Sequence, residues 1–307
     1  MTKEKKGFNL LVVGSVALDT VETHGGKISG ALGGSAVYFS LAASKFAKVA
    51  LVGVVGKDFP QRNRRLLSAK NIDCSGLETA DGETFRWSGV YDKTFADAVT
   101  RETKLNVFAD FKPRLSSVQK KCRSVFLANI DPELQLSVLG QLSEPRLSAC
   151  DTMNYWINLK KTALLKLLRR VNVFFLNETE ARLLTGKHNL VAAGKAALRL
   201  GPSAVVIKRG DSGVMLFSEG KCVSLPAWPV EKVVDTTGAG DSFAGGFMGR
   251  LSESGRPLDF GELKKAAACG TVTASFSIQS FSVKKLAEVS AAEIKNRLAL
   301  YAASVKI

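Results

Sequence analysis

Short apolar runs and amphipathic stretches take turns along most of this chain. The run at 8–14 predicts a buried strand, and GGSAVYFSLAASKF (33–46) a turn followed by an apolar helix. ALVGVVG (50–56) predicts a second strand, and QRNRRLLSAKNID (61–73) a helix with its exit. The texture then changes. TFRWSGVYD (84–92) alternates with Phe85, Trp87 and Tyr91 on one face, and ETKLNVFADF (102–111) with Leu105, Val107, Ala109 and Phe111 together. A period of two predicts half-buried antiparallel strands, here as a small sheet attached to the main body.

From about 120 the first rhythm returns. Strands are predicted at 123–129, 146–151, 171–176 and 203–208, separated by helices over 132–142, 156–170, 178–186 and 190–201. KRGDSGVMLF (208–217) reads as a hairpin, and the chain from Gly240 onward as mostly helical. Short apolar strands alternating with amphipathic helices imply a mainly parallel sheet covered on both faces.

Composition narrows the picture. A chain of 307 residues, 46% apolar, suits one large α/β domain with a smaller appendage. The formal charge of +15 would steer an anionic substrate such as ATP. Its Lys and Arg are spread over 3–6, 112–114, 120–123 and 166–170, with no zinc-finger spacing or aromatic–basic RNA motif, so no nucleic-acid partner is expected. Cys74, Cys122, Cys150, Cys222 and Cys269 are widely spaced without a CxxC, as reduced thiols of a cytoplasmic protein would be. With only His24 and His188, a His-based metal centre or a Ser–His–Asp hydrolase is hard to build. The N-terminus imitates a signal peptide, but its apolar run is short and is followed by Asp19 without a small-residue cleavage pattern; a first strand is the better reading, with no membrane partner.

The stretch DTTGAGDSFAGG (235–246) carries the chemistry. Gly238 and Gly240 match the first two glycines of a dinucleotide fingerprint, but Phe243 stands at the third and the motif lies late in the chain. No Walker A loop is present, because every Gly-Lys pair is followed by Ile, Asp, His, Ala or Cys. An anion hole at a helix start remains, built from the backbone of Gly238, Ala239 and Gly240, with Gly245 and Gly246 allowing close helix packing. Asp241 is there either as a helix cap worth ~1 kcal/mol or as a functional carboxylate, and this stretch alone leaves both open.

DTTGAGDSFAGGFM resembles the C-terminal signature of the PfkB, or ribokinase-like, carbohydrate and nucleoside kinases. Further segments are similar to family motifs in the family's order: GSVALD (14–19), GGSAVYFSLA (33–42), GVVGKDFPQRNRRLLSAKNID (53–73, with Asn71 for a glycine), NETE (177–180) and VVIKRGDSGVMLF (205–217). The resemblance implies a three-layer α/β sandwich with a mainly parallel central sheet and a small β lid. Residues 1–20, 33–78 and 116–307 would form the large domain, and 21–32 with 79–115 the lid. It implies ATP-dependent phosphorylation of a primary hydroxyl of a sugar, or of a nucleoside as the alternative. Asp241 would be the catalytic base, with Gly238, Ala239 and Gly240 as the anion hole. Asp19, Gly33, Gly34, Ser35 and Tyr38 would hold the acceptor; Lys208, Gly210, Gly213 and Thr237 would line the ATP side; Asn177 and Glu180 would organise Mg²⁺ through its waters. Family lids also mediate homodimers.

Two positions depart from the family pattern. Tyr38 stands where many relatives have Asn, and Asp151-Thr-Met-Asn154 replaces Asp-Pro-Asn. Both bear on the acceptor and neither on the transfer machinery. A different class, a non-catalytic ligand sensor on a dead kinase, is opposed by the intact Asp241, GAG and NETE.

Overall fold

A computed structural model of the chain describes residues 8–95 and 98–306. The basic run at 3–6 lies outside the described residues. The strands are β1 (Leu10–Val13), β2 (Ala17–Thr23), β3 (Gly26–Gly33), β4 (Val49–Gly56), β5 (Ile72–Ala80), β6 (Arg86–Val90), β7 (Val99–Lys104), β8 (Ser124–Leu127), β9 (Leu147–Cys150), β10 (Val173–Asn177), β11 (Ala204–Lys208), β12 (Val214–Ser218) and β13 (Lys221–Leu225). Nine of them make one sheet in the order β13-β12-β11-β10-β9-β8-β1-β4-β5. All its pairings are parallel except those of β12 and β13.

Helices α1 (Ser35–Ala43), α2 (Gln61–Ala69), α3 (Pro132–Gln141), α4 (Asn154–Leu159), α5 (Lys161–Leu168), α6 (Glu178–Thr185), α7 (Leu190–Leu198), α8 (Ala239–Ser254), α9 (Phe260–Ser277), α10 (Lys284–Glu288) and α11 (Ala291–Val305) surround the sheets. Successive side chains of a strand face opposite ways, so each central strand feeds two cores. Leu10 and Val12 pack with α1 and α8 on one side, while Leu11 and Val13 pack with α3, α5 and α7 on the other. The result is an α/β/α sandwich. Aromatic packing fixes the first core: Phe39 stacks on Phe126 at 4.2 Å, and Phe175 meets Phe247 edge-on at 5.1 Å. Phe243, which spoiled the dinucleotide fingerprint, is a buried member of the same cluster.

A second sheet, β3-β2-β6-β7, stands apart from the first. It begins at Ala17 and runs through Gly33, then resumes at Arg86. The alternation over 102–111 does not continue as one strand. Strand β7 stops at Lys104; Asn106 takes a left-handed φ of 48° and opens a 3-10 turn. Asn tolerates that conformation well, and the turn carries Phe111 back into the main core instead of along the sheet edge. The stretch predicted as one helix over 156–170 is likewise broken at Lys160, which separates α4 from α5.

Candidate active site

The C-terminal ends of three adjacent parallel strands bring the first group of residues together. Asp151 follows β9, Asn177 ends β10, and Lys208 ends β11 directly beside Asn177 in register. Parallel sheets place ligands at this edge. Lys208 Nζ lies 2.6 Å from Asp151 Oδ2, and both side chains are largely buried. Burial opposes the lysine's charge, but Asp151, Glu180 and Asp241 outweigh it and hold its pKa above the usual value.

Asn177 caps α6. Its Oδ1 accepts from the Glu180 N–H at 2.8 Å, and Glu180 Oε2 accepts from the Asn177 N–H at 2.7 Å. This reciprocal capping box fixes both side chains at the sheet edge beside Lys208. NETE, singled out as a metal-organising motif, is therefore also a helix start.

Helix α8 supplies the second group. Gly238 is its N-cap, with a left-handed φ of 72°. The ring of Tyr38 packs directly beneath it, so an added methyl would collide with that ring as well as strain the backbone. The Ala239 N–H donates to the Thr236 carbonyl at 3.1 Å, so one of the three predicted anion-hole donors is engaged in the turn. Among the described residues no acceptor pairs with the N–H of Gly238, Gly240 or Asp241, the last not named from the sequence. Gly240 lies below Lys208 Nζ, which would stand 3.1 Å from a Cβ at that position. Asp241 sits in the first turn with its pKa pushed up to about 7, chiefly by burial, then by Asp151, against the opposing pull of Lys208.

Asp19 faces this helix from the second sheet. β1 ends at Val13, and Asp19, which follows that apolar run in the sequence, lies within β2. Its carboxylate rests against Gly33, where any side chain would collide with it. Its pKa is also raised to about 7, first by burial, partly offset by the Gly34 N–H, and raised further by Asp235 and Asp241. Gly34 adopts φ 95°, and a Cβ there would meet the Ser15 carbonyl at 2.5 Å. The di-glycine thus lets the β3–α1 turn pass close to both Asp19 and the β1–β2 connection.

Several predicted residues do other work. Ser35 pairs reciprocally with Ser15, its N–H donating to Ser15 Oγ at 3.0 Å. Tyr38 is only 2% exposed, and its ring supports Gly238. Gly213 lets the chain pass the end of β13, while Gly210 stands in the open. Thr237 Oγ1 lies 3.2 Å from the Tyr91 hydroxyl, linking the second sheet to the start of α8. Asp235, unassigned from the sequence, holds the loop by accepting from the Thr237 N–H at 2.8 Å and the Ser282 N–H at 3.2 Å. Asp151 was legible as a motif position, but its pairing with Lys208 spans 57 residues and needed the fold.

The model for the pfkB family of carbohydrate kinases matches residues 9–288. A cytidine kinase from Thermococcus kodakarensis is 32% identical over 258 residues, covering 82% of this chain and 91% of its own. Among solved structures, a Burkholderia thailandensis nucleoside kinase in complex with inosine superposes with a TM-score of 0.79 at 17% identity, covering 95% of this chain and 98% of its own. A Cryptococcus neoformans ribokinase in complex with ADP gives 0.76 at 21% identity, with 94% and 99% covered.

Proposed function

The chain belongs to the pfkB family of carbohydrate kinases, and we propose that it transfers the terminal phosphoryl group of ATP to a primary hydroxyl on a sugar or nucleoside. One observation carries this reading: the Asp241 carboxylate and the unpaired N–H groups of Gly240 and Asp241 share one helix start, beneath Lys208 and opposite Asp19.

Phosphoryl transfer depends on positioning and on stabilising charge spread over the transferring oxygens. The N–H groups of Gly240 and Asp241 point where that charge develops and need no reorganisation, an arrangement worth about 3–4 kcal/mol per donor in other enzymes. Lys208 adds a cation on the same side. Asp241 faces the acceptor hydroxyl, orients it and receives its proton as the new P–O bond forms. A carboxylate titrating near 7 is a better proton acceptor than an ordinary one. Asp19 accepts hydrogen bonds from the acceptor's other hydroxyls. The second sheet acts as a lid, held to the α8 loop through Tyr91 and Thr237, and keeps water from competing with the acceptor.

Mg²⁺ suits the donor set. Asn177 and Glu180 offer hard oxygens already engaged in the capping box, and among the described residues no three acidic, His or Cys groups converge as a direct cage. Such an edge suits an ion that keeps its waters and binds substrate phosphates. The ion would supply charge neutralisation between the phosphates. The test is ADP release with MgATP against nucleosides, pentoses and hexoses; no acceptor-stimulated release from a protein that still binds a nucleoside or sugar refutes the reading.

A further inference from the structure

Basic residues that are scattered along the sequence, and form no nucleic-acid motif there, come together at one edge of the large sheet. Its parallel strands all start at this edge, opposite the ends that carry Asp151, Asn177 and Lys208. Arg169 and Arg170 lead into β10, and Arg199 into β11. Lys120, Lys121 and Arg123 lead into β8, and Lys48 into β4. Backbone contacts join these entries into a row. The Leu147 N–H donates to the Arg123 carbonyl at 3.0 Å, and the Asn9 N–H to the Lys48 carbonyl at 3.0 Å. A Cβ at Gly201, two residues after Arg199, would meet the Arg169 Cα at 2.7 Å. From β11 to β4 the sheet order counts five strand spacings, about 24 Å.

All seven side chains are exposed, and among the described residues none makes an ion pair or a side-chain hydrogen bond. Exposed carboxylates at this end include Glu144, Glu253 and Asp259, the last capping α9 through the Glu262 N–H. Glu262 itself is taken up by Arg250, Arg256 and Lys265. Helix dipoles favour a cation at a C-terminus, which accounts for Arg169 at the end of α5 and Arg199 at the end of α7. They do not account for Lys120, Lys121 and Arg123, which enter β8 from a 3-10 turn over Gln119–Lys121. Among the described residues no α-helix lies between β5 and β8.

We propose that this edge is a docking surface for the phosphate backbone of double-stranded nucleic acid. Unpaired Lys and Arg bind phosphates by releasing condensed counterions, without reading sequence. The row is linear, as a duplex backbone is, and its length of about 24 Å lies within one duplex turn of about 34 Å. Single strands are held instead by bases stacked on exposed aromatic side chains. Among the described residues the one exposed Phe, Tyr or Trp is Tyr155, in α4 at the opposite edge. A docked duplex leaves the site at the far ends of the strands open.

Fluorescence anisotropy of labelled DNA and RNA duplexes of about 20 bp, titrated with the full chain from about 50 mM KCl upward, tests this. Binding without sequence preference is expected, with log affinity falling by at least about 2.7 per decade of salt, the mark of three or more phosphate contacts. The triple variant Lys120→Gln, Lys121→Gln, Arg123→Gln is expected to bind at least ~10-fold more weakly, with the salt slope flatter by about 1 to 3. A second triple variant, Lys104→Gln, Lys161→Gln, Lys284→Gln, removes the same charge from exposed positions on the second sheet, α5 and α10. Its affinity is expected to stay within about threefold of wild type. Both variants are expected to unfold at the wild-type temperature, as changes at exposed side chains do. No duplex binding at about 100 µM protein overturns the proposal, and so does an equal loss in the two variants. Binding to phosphatidylserine vesicles with none to either duplex overturns it as well, because the edge then serves a lipid surface.

Discussion

Lys208 Nζ and Asp151 Oδ2 meet at 2.6 Å across the C-terminal ends of β11 and β9, above the first turn of α8. The pair bears on the proposed base from both sides. Asp151 raises the pKa of Asp241, and Lys208 lowers it. Replacing Asp151 with Asn removes the repulsion and releases the lysine's charge. The acid limb of kcat/KM is expected to move to lower pH in Asp151→Asn, and a pH–rate profile measures it. Lys208→Met is expected to move the limb upward and to lower kcat/KM about 100-fold, comparable to losing one charge-stabilising donor.

In the wild type, a base with a pKa of about 7 must be ionised to take a proton. The kcat/KM for the acceptor is therefore expected to rise with pH through about 7 and then level off. A profile flat from pH 5 to 8 would remove Asp241 from the role of base.

Asp19 predicts a stability effect of a definite sign. Its folded pKa of about 7 exceeds the ordinary 3.8, so between those values the folded protein holds a proton that the unfolded chain releases. Its contribution is least unfavourable at the acid end, and stability falls as pH rises through about 7. Removing the charge should help. Asp19→Asn is expected to be more stable than wild type at pH 8 without ligand, by about 1–3 kcal/mol, while acceptor affinity falls. Thermal or urea unfolding at pH 5 and 8 measures the first part. A less stable variant at pH 8 would mean that the carboxylate is held by bonds stronger than its desolvation.

Tyr38 and Gly238 form a packed unit beneath the anion hole. Tyr38→Ala would leave a cavity there and is expected to cost about 3–5 kcal/mol of stability and most of kcat. Tyr38→Phe keeps the ring and is expected to retain kcat within about threefold. The comparison, by unfolding and steady-state kinetics, separates support of the loop from contact with the acceptor.

Much of the fold was legible because its signals are local. Strands such as VNVFFL and SAVVIK are apolar on both faces, as buried parallel strands must be, and the two-period texture marked the second sheet. The glycine turn before Asp241 announced a helix start. What stayed hidden depends on distant pairings. Tyr38 reads as an acceptor contact from the sequence, and nothing in α1 reveals that Gly238, 200 residues later, also lies on its ring. The engagement of the Ala239 N–H by Thr236 follows from loop geometry, not from composition. Strand β7 was displaced toward the C-terminus because Leu105, Val107 and Phe111 keep the period of a strand while Asn106 turns the backbone out of one.

The central claim, that Asp241 receives the acceptor proton, is tested most directly by Asp241→Asn with MgATP and the best acceptor found. Asparagine keeps the size of the side chain and leaves the backbone donors of α8 in place. The account expects kcat to fall at least ~10²–10⁴-fold, with the affinity for MgATP, read by equilibrium titration, within about threefold of wild type. Near-normal turnover of the true acceptor by Asp241→Asn would contradict it.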